Sequence, residues 1–235
     1  MFTNILGFEV FNKDMKTFME YIEKYEKVNI VSGNPEILFN GFNDDKLKEN
    51  FKSKNSVIIP DGVGTVLASK LVKNPVSEKI AGIEVVREVL KKADTEKKSI
   101  YLVGAQQEVI EECVRKIRGK FPNLIIAGYH NGFFDMNNCD ELINDIIAKS
   151  PYAVFAAMGS PRQEIFIDKI MPHVDAKIFM GVGGVFDIFA GKLKRAPKWM
   201  ISMGLEWLYR VVKEPVRIKR LGAIPKFLAL VVKNN

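Results

Sequence analysis

The chain has 235 residues, room for one sizeable α/β core or two small domains, and its 47% apolar content with dispersed charge excludes a disordered polypeptide. Its net charge of +7 is uneven: from Lys192 onward eleven Lys/Arg stand against Glu206 and Glu214, while the first 191 residues carry 24 basic and 26 acidic side chains. Only Cys113 and Cys139 occur, in no CxxC or Cys/His cluster, which argues against a disulfide framework and a structural zinc and for a reducing compartment.

In chain order, "MFTNILGFEV" lacks the basic and long apolar regions of a signal peptide, and no run approaches about 18 apolar residues. "ILGFEVF" predicts a small edge strand, and 13–27 an amphipathic helix. Short, continuous apolar runs then predict buried strands at 28–32, 56–60, 99–104, 123–129, 152–159 and 176–184. Helical periods fall near 64–72, 82–97, 106–120, 138–149 and 161–171. This alternation implies an α/β fold with a mostly parallel, Rossmann-like sheet and helices on both faces.

Past Gly191 the pattern changes, and two helices separated at Glu214-Pro215 are expected. We therefore divide the chain into a catalytic α/β domain, 1–191, and a basic helical appendage, 192–235. Trp199, Met203, Trp207, Leu208 and Val211 lie at helical spacing beside Arg210; Arg217, Lys219 and Arg220 follow the proline, and Phe227, Leu228, Leu230 and Val231 come after. Interleaved aromatic, aliphatic and basic residues suit a helix in the lipid headgroup region; a terminal helix packed on the core with a solvated basic face is the alternative. An exposed apolar tail also offers a surface for self-association away from a membrane.

In open parallel sheets, ligands sit at the carboxyl ends of the strands. Here those ends carry Ser32-Gly33-Asn34, Asp61-Gly62, Gly104, Gly128-Tyr129, Gly159-Ser160 and Gly183-Gly184, a rim suited to a phosphate-containing ligand. Asp61 in "IIPDGVGTV" reads either as a turn residue or as an acid at a strand end; the helical pattern after it disfavours a hairpin. Asn34 can cap a helix starting at Pro35, or offer its amide to a sugar together with the Ser32 hydroxyl. In "GSPRQE", Ser160 caps and Pro161 opens a helix, with Arg162 and Gln163 at the ligand edge. His130 stands at a strand end where it can meet ligand, whereas His173 reads as structural. There is no HExxH, GxSxG, P-loop or dinucleotide GxGxxG, and no DxD-type acid pair for a metal-held nucleotide.

Together, "NPEI" (34–37), "PDGVG" (60–64), "AGIEVV" (81–86), "GSPRQE" (159–164), "GVGGVFDIFAGKLKRAPKWM" (181–200) and "GLEWLYRVVKEPVRIKR" (204–220) resemble the WecG/TagA/CpsF family of bacterial glycosyltransferases. The resemblance implies an inverting transferase without metal or other cofactor. Its usual donor is UDP-ManNAc and its acceptor undecaprenyl-diphosphate-GlcNAc, in teichoic acid linkage synthesis; relatives move ManNAcA or glucose onto lipid carriers. It assigns catalysis to Asp61, Gln163 and Ser32, the last with Asn34 in a TxN-type motif where serine replaces threonine. The resemblance also gives substrate contacts to Asn34, Arg210, Arg217, Arg220 and Lys79, which stands where the family commonly has arginine, while Gly104, His130, Gly159, Arg162 and Gly183 are substrate-contact candidates by their place at the ligand edge. It also implies a peripheral position on the cytoplasmic face of an anionic membrane. A basic-tailed nucleic-acid-binding protein is the competing class, and it leaves "PDGVG" and "PRQE" unexplained.

Overall fold

The sequence is described by a computed structural model that covers residues 1–213 and 222–234. The expected strands appear as β3 (Val28–Ser32), β4 (Ser56–Ile59), β5 (Ser99–Gly104), β6 (Ile125–His130), β7 (Ala153–Ala157) and β8 (Ile178–Gly181). The expected helices are α1 (Met15–Ile22), α2 (Pro35–Asn43), α4 (Val63–Leu71), α5 (Gly82–Thr95), α6 (Gln107–Lys120), α7 (Asp140–Lys149) and α8 (Arg162–Ile170). Two more are α3 (Asp45–Lys52) and α9 (Val185–Phe189), and the second tail helix, expected after Pro215, is α12 (Ala223–Lys233). With β1 (Phe2–Ile5) and β2 (Phe8–Phe11), the sheet among the described residues has eight strands in the order β1-β2-β4-β3-β8-β7-β5-β6; β1 pairs antiparallel with β2, and the pairs β2–β4, β3–β8, β8–β7, β7–β5 and β5–β6 are parallel.

Three details differ from expectation. The single edge strand is a hairpin, β1 (Phe2–Ile5) and β2 (Phe8–Phe11). Its turn, Leu6-Gly7, has φ of 56° and 79°, the left-handed pair that matches strand twist, and a leucine there hides the turn from composition. Helix α3 reads as a run of charge, yet Asp44 caps it through Leu47 N, and Leu47 and Phe51, four apart, bury its one apolar stripe. The first tail helix is two: α10 (Lys198–Ser202) and α11 (Glu206–Lys213). Gly204, at φ 73°, ends α10, with Leu205 N reaching Met200 O and Gly204 N reaching Ile201 O, the double bond of a glycine C-cap. The expected break at Pro215 lies outside the described residues.

Two compact units divide the chain. The first comprises Met1–Phe18, Ser32–Ala81 and Lys194–Asn235. Its core gathers Ile5, Phe8, Val10, Phe11, Phe18, Leu38, Ile58 and Ile59, with Phe11 edge-on to Phe18 at 5.4 Å. Helix α12 packs against α2 and α4 and buries Phe227 and Val231, so these two belong to the core and not to a lipid-facing surface.

The second unit comprises Met19–Val31 and Gly82–Leu193. Its parallel strands β5, β7 and β8 are buried along almost their whole length, as their continuous apolar runs require. Tyr101, Val154, Phe166, Ile170 and Phe179 form its core. The buried Tyr101 hydroxyl donates to Asp145 at 2.7 Å; burial, then that carboxylate, push its pKa upward. Burial, with Asp187 adding to it, pushes the Cys113 thiol up to about 12.

Candidate active site

In the first unit, two loops meet after β3 and β4. Ile59 O accepts from both Gly33 N and Asp61 N at 2.9 Å, fixing the start of each loop on one carbonyl. Gly33 lies flush on β4: a Cβ there would stand 2.5 Å from Ile58 Cγ2 and 2.7 Å from Ile59 O, which only glycine avoids. Asn34 Oδ1 accepts from Ile37 N at 3.0 Å and caps α2, with Pro35 opening the helix. Its side-chain oxygen is thus used structurally. Within this frame Ser32 Oγ donates to Asp61 Oδ2 at 2.6 Å. A buried hydroxyl therefore aims a half-buried carboxylate at a loop end, the arrangement of an oriented acid–base group. Buried Thr65, on the first turn of α4, donates to Gly33 O at 2.6 Å.

Lys79 stands 3.6 Å from Glu206 Oε2, and Arg195 Nε lies 3.6 Å from Glu206 Oε1. The lysine expected to meet substrate is thus paired with an acid of α11.

In the second unit, β5, β6, β7 and β8 run parallel, so the turns that follow them share one edge. Gln163 is buried, and its Oε1 accepts from Gly183 N at 3.0 Å while its Nε2 donates to Glu164 Oε1 at 2.7 Å. The amide therefore holds the β8–α9 turn. Gly159, at φ 75°, and Gly183, at φ 54°, have open space where a Cβ would stand. Gly104 differs: a Cβ would strike the Ala157 carbonyl, so this glycine serves strand packing.

The start of α8 is corrected in detail. Pro161 is the N-cap and Arg162 the first helical residue, with no side-chain cap bond from that residue. The Arg162 guanidinium donates to Phe134 O and to Gly132 O and lies 5.2 Å from the centre of the Phe134 ring. It anchors the β6–α7 loop, a role that no local signal in "PRQE" reveals. Lys169, seven residues on, donates to Met136 O at 2.9 Å and supports the same loop. His130 Nδ1 is 2.7 Å from Asn131 O, and the ring meets Phe134 edge-on at 5.5 Å. The loop's Phe133 is 75% exposed.

The profile described as the glycosyl transferase WecG/TagA/CpsF family matches residues 3–235. The chain belongs to this family. Three similar relatives are each named N-acetylglucosaminyldiphosphoundecaprenol N-acetyl-beta-D-mannosaminyltransferase. The protein of Bacillus subtilis strain 168 is 39% identical over 95% of this chain and 88% of its own. That of Bacillus spizizenii is 37% identical over 92% and 82%, and that of Staphylococcus aureus strain MW2 is 33% identical over 98% and 92%.

Of the side chains this WecG/TagA/CpsF chain was expected to use, the structure joins Ser32 to Asp61 and Gln163 to the Gly183 turn. Arg217, Arg220 and the side chain of Arg210 lie outside the described ones. Sequence reasoning missed Thr65 and Lys169. Their partners stand 32 and 33 residues away, beyond the reach of any local pattern.

Proposed function

We propose that this chain transfers N-acetylmannosamine from UDP-ManNAc to the C4 hydroxyl of undecaprenyl-diphosphate-GlcNAc, inverting the anomeric centre without a metal ion. The relatives' names support the transferred sugar and the lipid-linked acceptor. The observation that carries the chemistry is the 2.6 Å bond from Ser32 Oγ to Asp61 Oδ2. Asp61 takes the proton from O4 as O4 bonds to the anomeric carbon. The bond from that carbon to the β-phosphate oxygen breaks, and UDP leaves with the electron pair. Main-chain amides and the arginines of the tail balance its charge. Gln163 contributes by fixing the Gly183 turn.

Two assays test this reading. The first uses Asp61→Asn with UDP-ManNAc and a short-chain lipid-diphosphate-GlcNAc acceptor, in buffer with and without EDTA. The wild type is expected to turn over equally in both and the variant to lose ~10²–10⁴-fold in rate; a variant at wild-type rate removes the base. The second is a competition among UDP-ManNAc, UDP-ManNAcA and UDP-glucose, in which preferred use of another sugar overturns the donor assignment.

The same reading makes residues 192–235 a membrane-associating appendage on a 1–191 catalytic domain at the inner face of the cell membrane. It also makes the apolar face a site of self-association off the membrane. Trp199 on α10, Met203 at its C-cap and Val212 on α11 are 60%, 66% and 70% exposed, and α11 also carries Lys213. Among the described residues, no helix is long and apolar enough to cross a membrane. Deleting the tail is a poor test, because Phe227 and Val231 are core residues. Replacing Trp199, Met203 and Val212 with serine should abolish flotation with phosphatidylglycerol vesicles, and unchanged flotation sinks the tail's membrane role.

A further inference from the structure

We infer that Thr65 is a positioning residue for transfer: its hydroxyl holds the Gly33 peptide so that Ser32 meets Asp61. The inference rests on Asp61 acting as the base.

A threonine hydroxyl in a helix commonly bonds locally, to the carbonyl three or four residues back. Thr65 instead reaches out of α4 to Gly33 O, 32 residues away, at 2.6 Å, and is completely buried. A buried hydroxyl bound to a loop carbonyl costs more to lose than a surface one, since Gly33 O would then be left without that donor in a site shut off from water.

The place of this bond gives it a function. Gly33 is the residue between Ser32, which donates to Asp61, and Asn34, which caps α2. On its amide side Gly33 is fixed to Ile59 O, the same atom that receives Asp61 N. Thr65 fixes the carbonyl side, from a helix whose first turn follows Asp61-Gly62 directly. Gly33, which joins the hydroxyl donor to the rest of the loop, is therefore held at its N–H by the strand and at its carbonyl by the helix that also flank Asp61. Removing one hold lets the Ser32 hydroxyl move relative to the carboxylate, and a shift of about 1 Å at such a group costs on the order of 10²-fold in rate.

Thr65→Val keeps the shape and removes the donor, while Thr65→Ser keeps the donor. Purified Thr65→Val, folded by circular dichroism, is expected to lose about tenfold or more in kcat with the donor KM within about twofold, and Thr65→Ser to recover most of the rate. In a Ser32→Ala background, Thr65→Val should add little, because the hydroxyl it positions is gone. Wild-type kcat in Thr65→Val, a Thr65→Ser rate as low as that of Thr65→Val, or full additivity with Ser32→Ala would each overturn the inference. Asp61→Asn, assayed beside them, separates the two readings. If it stays active, the base assignment fails; if it is dead while Thr65→Val is unimpaired, only the positioning role fails.

Discussion

In the first unit one pair of loop side chains, Ser32 and Asp61, bind each other, whereas in the second unit Arg162, Gln163 and Lys169 each reach main chain of a neighbouring loop. Ser32 and Asp61 meet side chain to side chain, with Thr65 and Asn34 bracing the backbone around them. Arg162, Gln163 and Lys169 instead turn onto Gly132, Phe134, Met136 and Gly183, and the space left open lies over Gly159 and Gly183. The first unit thus offers one oriented reactive group. The second offers shaped main chain, the surface that suits a phosphate or a sugar held by peptide groups. If that division is functional, substitutions in the two loop sets should damage different kinetic constants.

The largest effect is expected at Asp61. Losing a positioned general base typically removes ~10²–10⁴-fold, so Asp61→Asn should lower kcat by that order with donor binding retained in a calorimetric titration with UDP. Ser32→Ala should come next. A hydrogen bond to a charged group contributes about 1.5–3 kcal/mol, or roughly ten- to a hundredfold in kcat, if the whole of it orients the base. A Ser32→Ala enzyme with unchanged kcat would show that Asp61 needs no such partner, and the contrast between the units would lose its first half.

In the second unit the expected effect is smaller and falls on donor kcat/KM. Gln163→Ala frees the β8–α9 turn. Gly183→Ala places a methyl in the open space and forces a left-handed residue, about 1–2 kcal/mol of strain. Each should cost roughly tenfold in donor kcat/KM with a milder effect on kcat. If both lower kcat as strongly as Ser32→Ala, the second unit takes part in the chemical step itself and the proposed division is wrong.

The parallel core was legible because its strands are buried on both faces, and continuous runs such as "SIYLVG" and "YAVFAAMG" carry that signature unaided. Asp61 was legible only as an acid after a strand, and the resemblance supplied its role. What the pattern did not show depends on partners remote in sequence. Arg162 reads as a free guanidinium in a helix's first turn, and only the fold brings Phe134 O and Gly132 O to it. Helix α3 was hidden because Leu47 and Phe51 are its whole buried face. The β1–β2 turn was hidden because Leu6 takes a conformation that composition assigns to Asn or Gly.

The smallest effect offers the sharpest control, because it compares two open glycines. Gly119 in α6, like Gly183, has nothing within 4 Å of where its Cβ would be, but it stands in a helix with ordinary backbone angles. Alanine there meets no neighbour and lowers the entropy of the unfolded chain, so Gly119→Ala should stabilise by up to about 0.5–1 kcal/mol. For a chain of this size that is a rise of roughly 1–4 °C in Tm by calorimetry, with donor kcat/KM unchanged. Gly183→Ala should move both quantities the other way. Were Gly119→Ala also to lower donor kcat/KM, the loss at Gly183 could not be credited to its place at the β8–α9 turn. Any change in the stability of the second unit would then suffice to explain it.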